Sequence, residues 1–393
     1  MPELSSLYAD YVMPTYGRFD LEIARGAGCR VWDFSGKEYM DFGAGIAVCS
    51  LGHAHAEITA AVSQQAATLV HTSNLYRTQP QAELARRLVE ITGPGKVFFC
   101  NSGAEANEGL IKITRKHGYE SGRYEMITFG NSFHGRTMAG ISATAQEKVK
   151  KGFAPLLEGF VHLPYGDLEA VRAAVGPKTG AILVEPVQGE GGIHIATAEF
   201  LRGLRALCDE HGLLLLFDEV QCGLGRTGDW CGWKSVAPEV VPDGVSWAKG
   251  IANGFPLGAF WATAKDGLCD TLGPGTHGTT YGGNPVCCAA GLKVLEIIER
   301  DDLRANAVTQ GARLTAAIRG WGSAMVDEVR CLGLMVGIQL KEGVVALDVV
   351  KALMAEGLLT IPAGERVVRL LPPLNITDGE VDEAVAVLKR VLV

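Results

Sequence analysis

The sequence predicts an α/β protein built around a mostly parallel β-sheet. Apolar segments of strand length alternate with segments that have helical periodicity, as in chains made of βαβ units. The chain has 393 residues, of which 47% are hydrophobic and 50 are glycine, and much of the glycine falls just after the strand-length segments. A chain of this length and composition can bury a large core and form two domains.

Four predicted strands are expected to end at one crevice. The first, Lys96 to Cys100, leads through polar residues into a helix that runs to about Lys116. The others are Ala181 to Val187, Leu213 to Phe217 and Val245 to Trp247, and each is followed by polar residues. Ligands of open α/β sheets bind at the carboxyl ends of strands, so these four loops should converge.

The two ends of the chain are predicted to form a smaller α+β domain. In its C-terminal part, Val329 to Leu340 and Val367 to Leu371 have the composition of strands. We place the N-terminal part of this domain at residues 1–50, the large domain at residues 51–283 and the C-terminal part at residues 284–393.

Composition argues against several partners. A net charge of −8 offers no field that would attract nucleic acid or an anionic membrane, and the longest apolar strings have strand length rather than membrane length. The ten cysteines follow no metal-binding spacing, and His53, His55 and His134 lack a nearby acidic or cysteine set, so we expect no metal and assign the histidines to turns and packing. Free thiols and the lack of a visible secretory signal predict a cytoplasmic protein.

Lys249 is the candidate catalytic residue. It follows the strand that ends at Trp247 and has small neighbours. An amine in an apolar pocket has a lowered pKa and can attack an aldehyde, so Lys249 is predicted to form a Schiff base with pyridoxal phosphate. Asp218, at the end of another strand, would keep the pyridine nitrogen of that cofactor protonated. Taken alone, a buried aspartate after a strand is more often structural.

A phosphate site is predicted where the first strand meets its helix. The segment Asn101 to Asn107 contains small residues, and a helix N-terminus offers unpaired N–H groups with a partial positive charge. For this segment alone, a helix cap made by serine or asparagine is the plainer interpretation.

A second glycine motif suggests a dinucleotide. Gly223 to Gly228 reads G-x-G-x-x-G after a strand, but Pro238 and Pro242 resist the helix that should follow. The strand-turn-helix context that the motif requires is therefore not met, so we reject this interpretation.

Six ordered segments together resemble the class III aminotransferases, which are fold type I pyridoxal-phosphate enzymes. The resemblance spans nearly the whole chain, and it implies a large domain with a mostly parallel seven-stranded sheet and a smaller domain built from both termini. The segments are residues 101–107, 132–137, 185–192, 218–223, 249–250 and 277–285.

The resemblance implies a role for each cofactor-binding residue. The backbone of Gly103 and Ala104 would bind the phosphate, Phe133 and Val220 would lie against the two faces of the ring, and Asp218 would pair with the ring nitrogen. Gln221 would contact the phenolic oxygen, and Lys249 would hold the cofactor and transfer protons. Thr279 would lie near the substrate, and Thr280 would reach the phosphate from the partner subunit, which implies a homodimer with shared active sites.

Substrate binding follows from the same resemblance. Arg136 would bind the α-carboxylate of an ω-amino donor, and Arg369 that of glutamate. Glu190 would neutralise Arg369 while the donor is bound, and Glu185 is expected to support the geometry of the loops near the cofactor.

The reaction that the resemblance favours transfers the ω-amino group of N-acetylornithine to 2-oxoglutarate, a step of arginine biosynthesis. Succinyldiaminopimelate, succinylornithine, ornithine and 4-aminobutyrate remain alternative donors, because Cys49 departs from the family pattern and leaves the acyl preference open. An aminomutase or decarboxylase of the same family, and a regulatory relative that binds a cofactor or nucleotide without catalysis, also remain open.

Overall fold

The computed structural model describes residues 4–393. Its strands are β1 (Ile23–Ala27), β2 (Arg30–Asp33), β3 (Glu38–Asp41), β4 (Gly95–Cys100), β5 (Glu125–Phe129), β6 (Phe160–Leu163), β7 (Thr179–Val184), β8 (Val187–Gln188), β9 (His194–Ile195), β10 (Leu214–Asp218), β11 (Gly244–Trp247), β12 (Gly258–Thr263), β13 (Val326–Leu332), β14 (Met335–Leu340), β15 (Leu358–Leu359), β16 (Ile361–Ala363) and β17 (Val367–Leu370).

The helices alternate with these strands through most of the chain. They are α1 (Leu4–Tyr11), the short turn α2 (Ala44–Ala47), α3 (Ala56–Thr68), α4 (Gln79–Thr92), α5 (Gly103–His117), α6 (Met138–Ala143), α7 (Glu147–Lys150), α8 (Leu168–Ala174), α9 (Ala198–His211), α10 (Pro285–Arg300), α11 (Leu303–Arg319), α12 (Ala346–Ala355) and α13 (Asp378–Leu392).

The central sheet has seven strands in the order β4-β12-β11-β10-β7-β5-β6. Only β12 runs antiparallel to its neighbours, so the other six strands are parallel to one another. Every residue of β7, β10 and β11 is buried, which explains why their sequences are mostly apolar. The predicted α/β class and the mostly parallel seven-stranded sheet are confirmed.

One predicted strand ends earlier than expected. The segment predicted from Ala181 to Val187 leaves the central sheet after Val184, and Val187 belongs to the separate hairpin of β8 and β9. Pro186 lacks the N–H group that a central strand must donate, so the chain turns there. The hydroxyl of Tyr165 instead donates to the carbonyl oxygen of Glu185 at 2.8 Å.

Both ends of the chain contribute to the smaller sheets. β15 pairs in parallel with β3 and so joins the N-terminal strands to the C-terminal part of the chain, while β13, β14, β17 and β16 form an antiparallel sheet. α10, which follows residue 283, packs against α3 and α4. The domain boundaries at residues 50 and 283 stay a prediction.

Two further features of residues 4–393 bear on partners and metals. None of their helices combines the length and the apolar character needed to cross a membrane. Nor do these residues include a group of three or more His, Cys, Asp or Glu side chains placed to hold a metal ion.

Close packing between α5 and the sheet positions the start of α5. A Cβ atom at Gly109 would lie 2.1 Å from Cε1 of Phe260 in β12, so only glycine fits there. Ser102 caps the helix by accepting a hydrogen bond from the backbone N–H of Glu105, at 3.2 Å. The helix therefore begins at the carboxyl end of β4.

We expect Gly109→Ala to lower the free energy of unfolding by about 1–3 kcal/mol, because the added methyl group overpacks a rigid contact with Phe260. Gly379→Ala in α13 is the matched control, since no atom lies within 4 Å of its Cβ position. This control should leave stability unchanged or raise it slightly. Denaturant unfolding of both variants checks the expectation, and equal stability of the two would contradict it.

Candidate functional site

A cavity of about 370 Å³ lies at the carboxyl ends of the central strands. Nine of the residues predicted from the sequence line it together: Gly103, Ala104, Phe133, Arg136, Glu190, Asp218, Val220, Gln221 and Lys249. Arg369 lies just outside the lining of the cavity, in contact with Glu190 and Gln221. Thr279 and Thr280 are outside the lining of the cavity.

Lys249 begins a tight turn directly after β11. Its φ of 47° lies in the left-handed region, and the turn is held by Asn253, whose side chain accepts from the N–H of Leu51 and donates to the carbonyl of Gly52. The Lys249 amine has no ion-pair partner within residues 4–393. Burial lowers the pKa of Lys249, and the positive charge of Arg369 acts in the same direction while Glu190 opposes it. A larger fraction of the amine is therefore unprotonated and nucleophilic.

Asp218 is fixed by donors from three parts of the chain. Its Oδ2 accepts from Nδ2 of Asn107 at 2.7 Å and from Nδ1 of His134 at 2.8 Å, and its Oδ1 accepts from the N–H of Val220 at 3.0 Å. Asn107 is itself held by the hydroxyl of Ser246, which donates to its Oδ1 at 2.7 Å. The carboxylate is 3% exposed, so its orientation is set by these bonds rather than by water.

Asn107 and His134 are site residues whose contacts the sequence reasoning missed. Asn107 lies four residues after Gly103 and so on the same face of α5, which is a usable signal. His134, predicted to have a turn or packing role, is fully buried and bonded to Asp218. Burial by itself lowers the pKa of His134, but the hydrogen bond and the charge of Asp218 raise that pKa above its usual value.

The start of α5 forms a concave wall suited to a phosphate group. A Cβ atom at Gly103 would lie 2.7 Å from Cγ1 of Val220, so glycine lets the helix approach that side chain. The first N–H groups of a helix lack partners within the helix, and the helix dipole adds a partial positive charge. Ser102 does cap this helix, so the capping and the anion-binding interpretations of the segment are compatible.

Arg369 carries a buried charge that Glu190 neutralises. The guanidinium is 1% exposed, and its Nη1 lies 2.9 Å from Oε1 of Glu190 and 3.0 Å from Oε1 of Gln221. Burial by itself would raise the pKa of Glu190, but Arg369 and then Lys249 lower it. Nε of Arg369 is buried without a hydrogen-bond partner among residues 4–393. The guanidinium thus keeps an unused donor beside its ion pair with Glu190.

Phe133 and Arg136 form one edge of the cavity. The guanidinium carbon of Arg136 lies 5.2 Å from the centre of the Phe133 ring, within the range of a cation–π contact. Arg136 is exposed and has no carboxylate partner within residues 4–393, so it is available to an anionic ligand.

Two buried carboxyl groups next to the cavity take no cationic partner. Glu185 lines the cavity and accepts from the N–H of Phe133 at 3.0 Å and of Gly189 at 3.3 Å, whereas Glu219 points away and accepts from Gly232 and Trp233. Burial raises the pKa of each to about 7.

Thr279 and Thr280 lie together on the loop before α10. Oγ1 of Thr279 accepts from Nδ2 of Asn101 at 3.2 Å and from the N–H of Gly282 at 3.3 Å, which ties the loop to the end of β4. Thr280 is exposed on the surface of the single subunit.

Comparison with known proteins gives consistent matches along the chain. Residues 11–392 match the family model described as aminotransferase class-III. Acetylornithine aminotransferase of Myxococcus xanthus is 50% identical over 379 residues, which cover 95% of this chain and 93% of that protein. The acetylornithine aminotransferase of Rhodobacter capsulatus is 49% identical, with 95% of each chain covered.

Solved structures agree in fold. The N-acetylornithine aminotransferase of Stenotrophomonas maltophilia K279a superposes with a TM-score of 0.83 and 36% identity, over 99% of this chain and 98% of that one. An ornithine aminotransferase of Toxoplasma gondii, with partial occupancy of PLP at its active site, gives a TM-score of 0.93 and 33% identity, over 99% of this chain and 93% of that one.

We expect Asn107→Ala to lower the free energy of unfolding by about 2–3 kcal/mol, because a buried carboxylate loses a donor. Ser246→Ala removes only the neutral hydroxyl at the far end of the same network, and should cost about 1 kcal/mol. Chemical denaturation of the two variants compares them. Equal losses would mean that Asn107 does not stabilise the charge of Asp218.

Proposed function

Because the chain belongs to the class III aminotransferases, we propose that it transfers the ω-amino group of N2-acetyl-L-ornithine to 2-oxoglutarate, giving N-acetyl-L-glutamate 5-semialdehyde and L-glutamate. The observation that carries this proposal is a buried lysine amine and a fixed carboxylate that line one cavity, with a buried arginine beside it that pairs with Glu190. Membership of this family and of fold type I confirms the resemblance seen in the sequence.

The cofactor is pyridoxal phosphate, and the cavity fits it. The wall at Gly103 and Ala104 suits its phosphate, Asp218 suits its ring nitrogen and the free amine of Lys249 suits its aldehyde. When bound, the cofactor supplies an electron-withdrawing ring that stabilises negative charge on the substrate carbon.

The residues of the chain then divide the work. Asp218, held by Asn107 and His134, would hold a proton at the ring nitrogen. Phe133 and Val220 would lie against the ring, and Gln221 would contact its phenolic oxygen. The amine of Lys249 would accept the proton of the substrate carbon as a base and give it up again as an acid.

Substrate selection uses the two arginines and Glu190. Arg136 binds the α-carboxylate of the ω-amino donor while the pair between Glu190 and Arg369 stays closed. When 2-oxoglutarate enters, Glu190 moves away and Arg369 binds the α-carboxylate. A buried guanidinium that always has one anionic partner avoids the cost of an unpaired charge in both half-reactions.

We place the active site at the interface of a homodimer. Thr280 would reach the phosphate in the partner's site, and Thr279 would lie near the substrate. Large apolar side chains near the loop before α10 are exposed in the single subunit: Leu75 is 85% exposed, Tyr76 68% and Tyr281 64%. Exposed apolar surface of this kind is typical of a subunit interface and supports the proposal. A cytoplasmic location is likewise proposed, supported by ten cysteines that are all unpaired.

We expect borohydride reduction of the holoenzyme to attach the cofactor to Lys249, and Lys249→Ala to abolish this attachment and the yellow colour of the protein. Lys148→Ala is the matched control, because Lys148 is an exposed lysine whose charge also acts on Glu190. Peptide mass mapping identifies the labelled residue. Attachment at another residue, or none in the wild type, would exclude the mechanism.

A titration of half-reactions tests the choice of substrate together with the ion pair between Glu190 and Arg369, which we call the gate. N-acetylornithine should react faster with the wild type than ornithine, 4-aminobutyrate or succinyldiaminopimelate. Glu190→Ala should raise the rate with glutamate relative to N-acetylornithine by about tenfold, equivalent to about 1.4 kcal/mol, because Arg369 is released. Glu356→Ala removes only the exposed ion pair with Arg390 and should leave the ratio unchanged. An unchanged ratio in Glu190→Ala would refute the gate.

A further inference from the structure

Glu185 occupies the point where two loops of the site meet. It directly follows β7, lines the cavity and is 6% exposed. Its backbone is fixed independently of its carboxylate, since its carbonyl oxygen accepts from the hydroxyl of Tyr165. Because its backbone is fixed in this way, the carboxylate of Glu185 can hold the groups that it binds in a defined position.

The two carboxylate oxygens of Glu185 bind different loops. Oε1 accepts from the N–H of Phe133, on the loop that also carries Arg136. Oε2 accepts from the N–H of Gly189, which directly precedes Glu190. No lysine or arginine among residues 4–393 pairs with this buried carboxylate, so these backbone bonds account for its placement.

Gly189 links Glu185 to the ion pair between Glu190 and Arg369. A Cβ atom at Gly189 would lie 2.1 Å from Oε1 of Gln221, so its backbone packs directly against that amide. The same oxygen of Gln221 accepts from Arg369 at 3.0 Å. Gly189 is therefore held between Glu185 on one side and the amide that binds Arg369 on the other, which fixes the direction in which Glu190 leaves the backbone.

We propose that Glu185 is a positioning residue that couples the Phe133 loop to the closed state of the gate between Glu190 and Arg369. This inference rests on the proposed function, in which that gate selects the substrate. By accepting from both loops, Glu185 holds Glu190 against Arg369, and loss of either bond favours the open gate and carboxylate binding at Arg369.

The protonation state of Glu185 bears on the same coupling. Burial raises the pKa of Glu185 to about 7, the charge of His134 opposes this rise and that of Asp218 adds to it. An ionised carboxyl accepts from both loops, but as the pH falls through about 7 one oxygen gains a proton and an anchor is lost. The other titratable groups that its charge influences are Lys249, Tyr165 and Cys222.

Binding of glutarate to the holoenzyme tests the coupling without turnover. Glutarate has two carboxylates and no amine, and it must open the gate to reach Arg369. In Glu185→Gln the amide nitrogen faces the N–H of Gly189 or Phe133 and cannot accept from it. We expect this variant to bind glutarate about fivefold more tightly at pH 8 by calorimetry, which is what one net hydrogen bond is worth.

Glu219→Gln is the matched control, because Glu219 is also a buried carboxyl with a pKa raised to about 7 by burial and two backbone donors, but lies outside the cavity lining. It should bind glutarate as the wild type does. Wild-type affinity in Glu185→Gln would overturn the proposal.

Two further measurements separate the possible failures. Glu190→Ala should also bind glutarate more tightly. If it does and Glu185→Gln does not, only the role of Glu185 fails, whereas no change in either variant refutes the gate itself.

The pH dependence of the wild type tests the role of Glu185 in a second way, because the glutarate affinity of the wild type should rise between pH 8 and pH 6 by more than that of Glu185→Gln. Parallel pH profiles would overturn the coupling.

Discussion

The site depends first on the buried carboxylate of Asp218. A charge at this depth is stable only if its lone pairs are satisfied, and the donors come from α5, from the loop after β5 and from the backbone beyond β10. These bonds fix the direction of the carboxylate and tie three elements to one point. The helix start at Gly103 and the turn at Lys249 lie on the same cavity, so an error in this network would displace the whole site.

A second buried charge, that of Arg369, is the basis of the two states proposed for the site. Arg369 belongs to β17 of the antiparallel C-terminal sheet and pairs with Glu190, which lies between β8 and β9. Because an unpaired guanidinium there would be costly, the proposed gate requires Glu190 and the carboxylate of a substrate to compete for Arg369. In that proposal Glu185 fixes the position of Glu190, since it accepts a hydrogen bond from the residue that precedes it.

Much of the fold and site was predictable because the signals are local. Polar residues after apolar strands pointed to Asp218 and Lys249, and small residues at a strand-to-helix turn pointed to the segment 101–107, within which the family resemblance selected Gly103 and Ala104. Local signals failed where partners are remote. His134 and Asp218 are 84 residues apart, and Ser246 and Asn107 are 139 apart, so no window of sequence contains both members of either pair. The strand expected to reach Val187 stopped at Val184, where a proline outweighed the apolar pattern.

The sequence by itself determined the α/β class and the family and predicted the candidate reactive residues, because strand and helix periodicity and ordered motifs are written along the chain. Only the tertiary structure decided which groups pair. Gln221 and Arg369, separated by 148 residues, meet because strand register and burial bring the two sheets together. Burial also sets the pKa of Lys249 and of Glu185, since desolvation depends on surrounding atoms from distant parts of the chain.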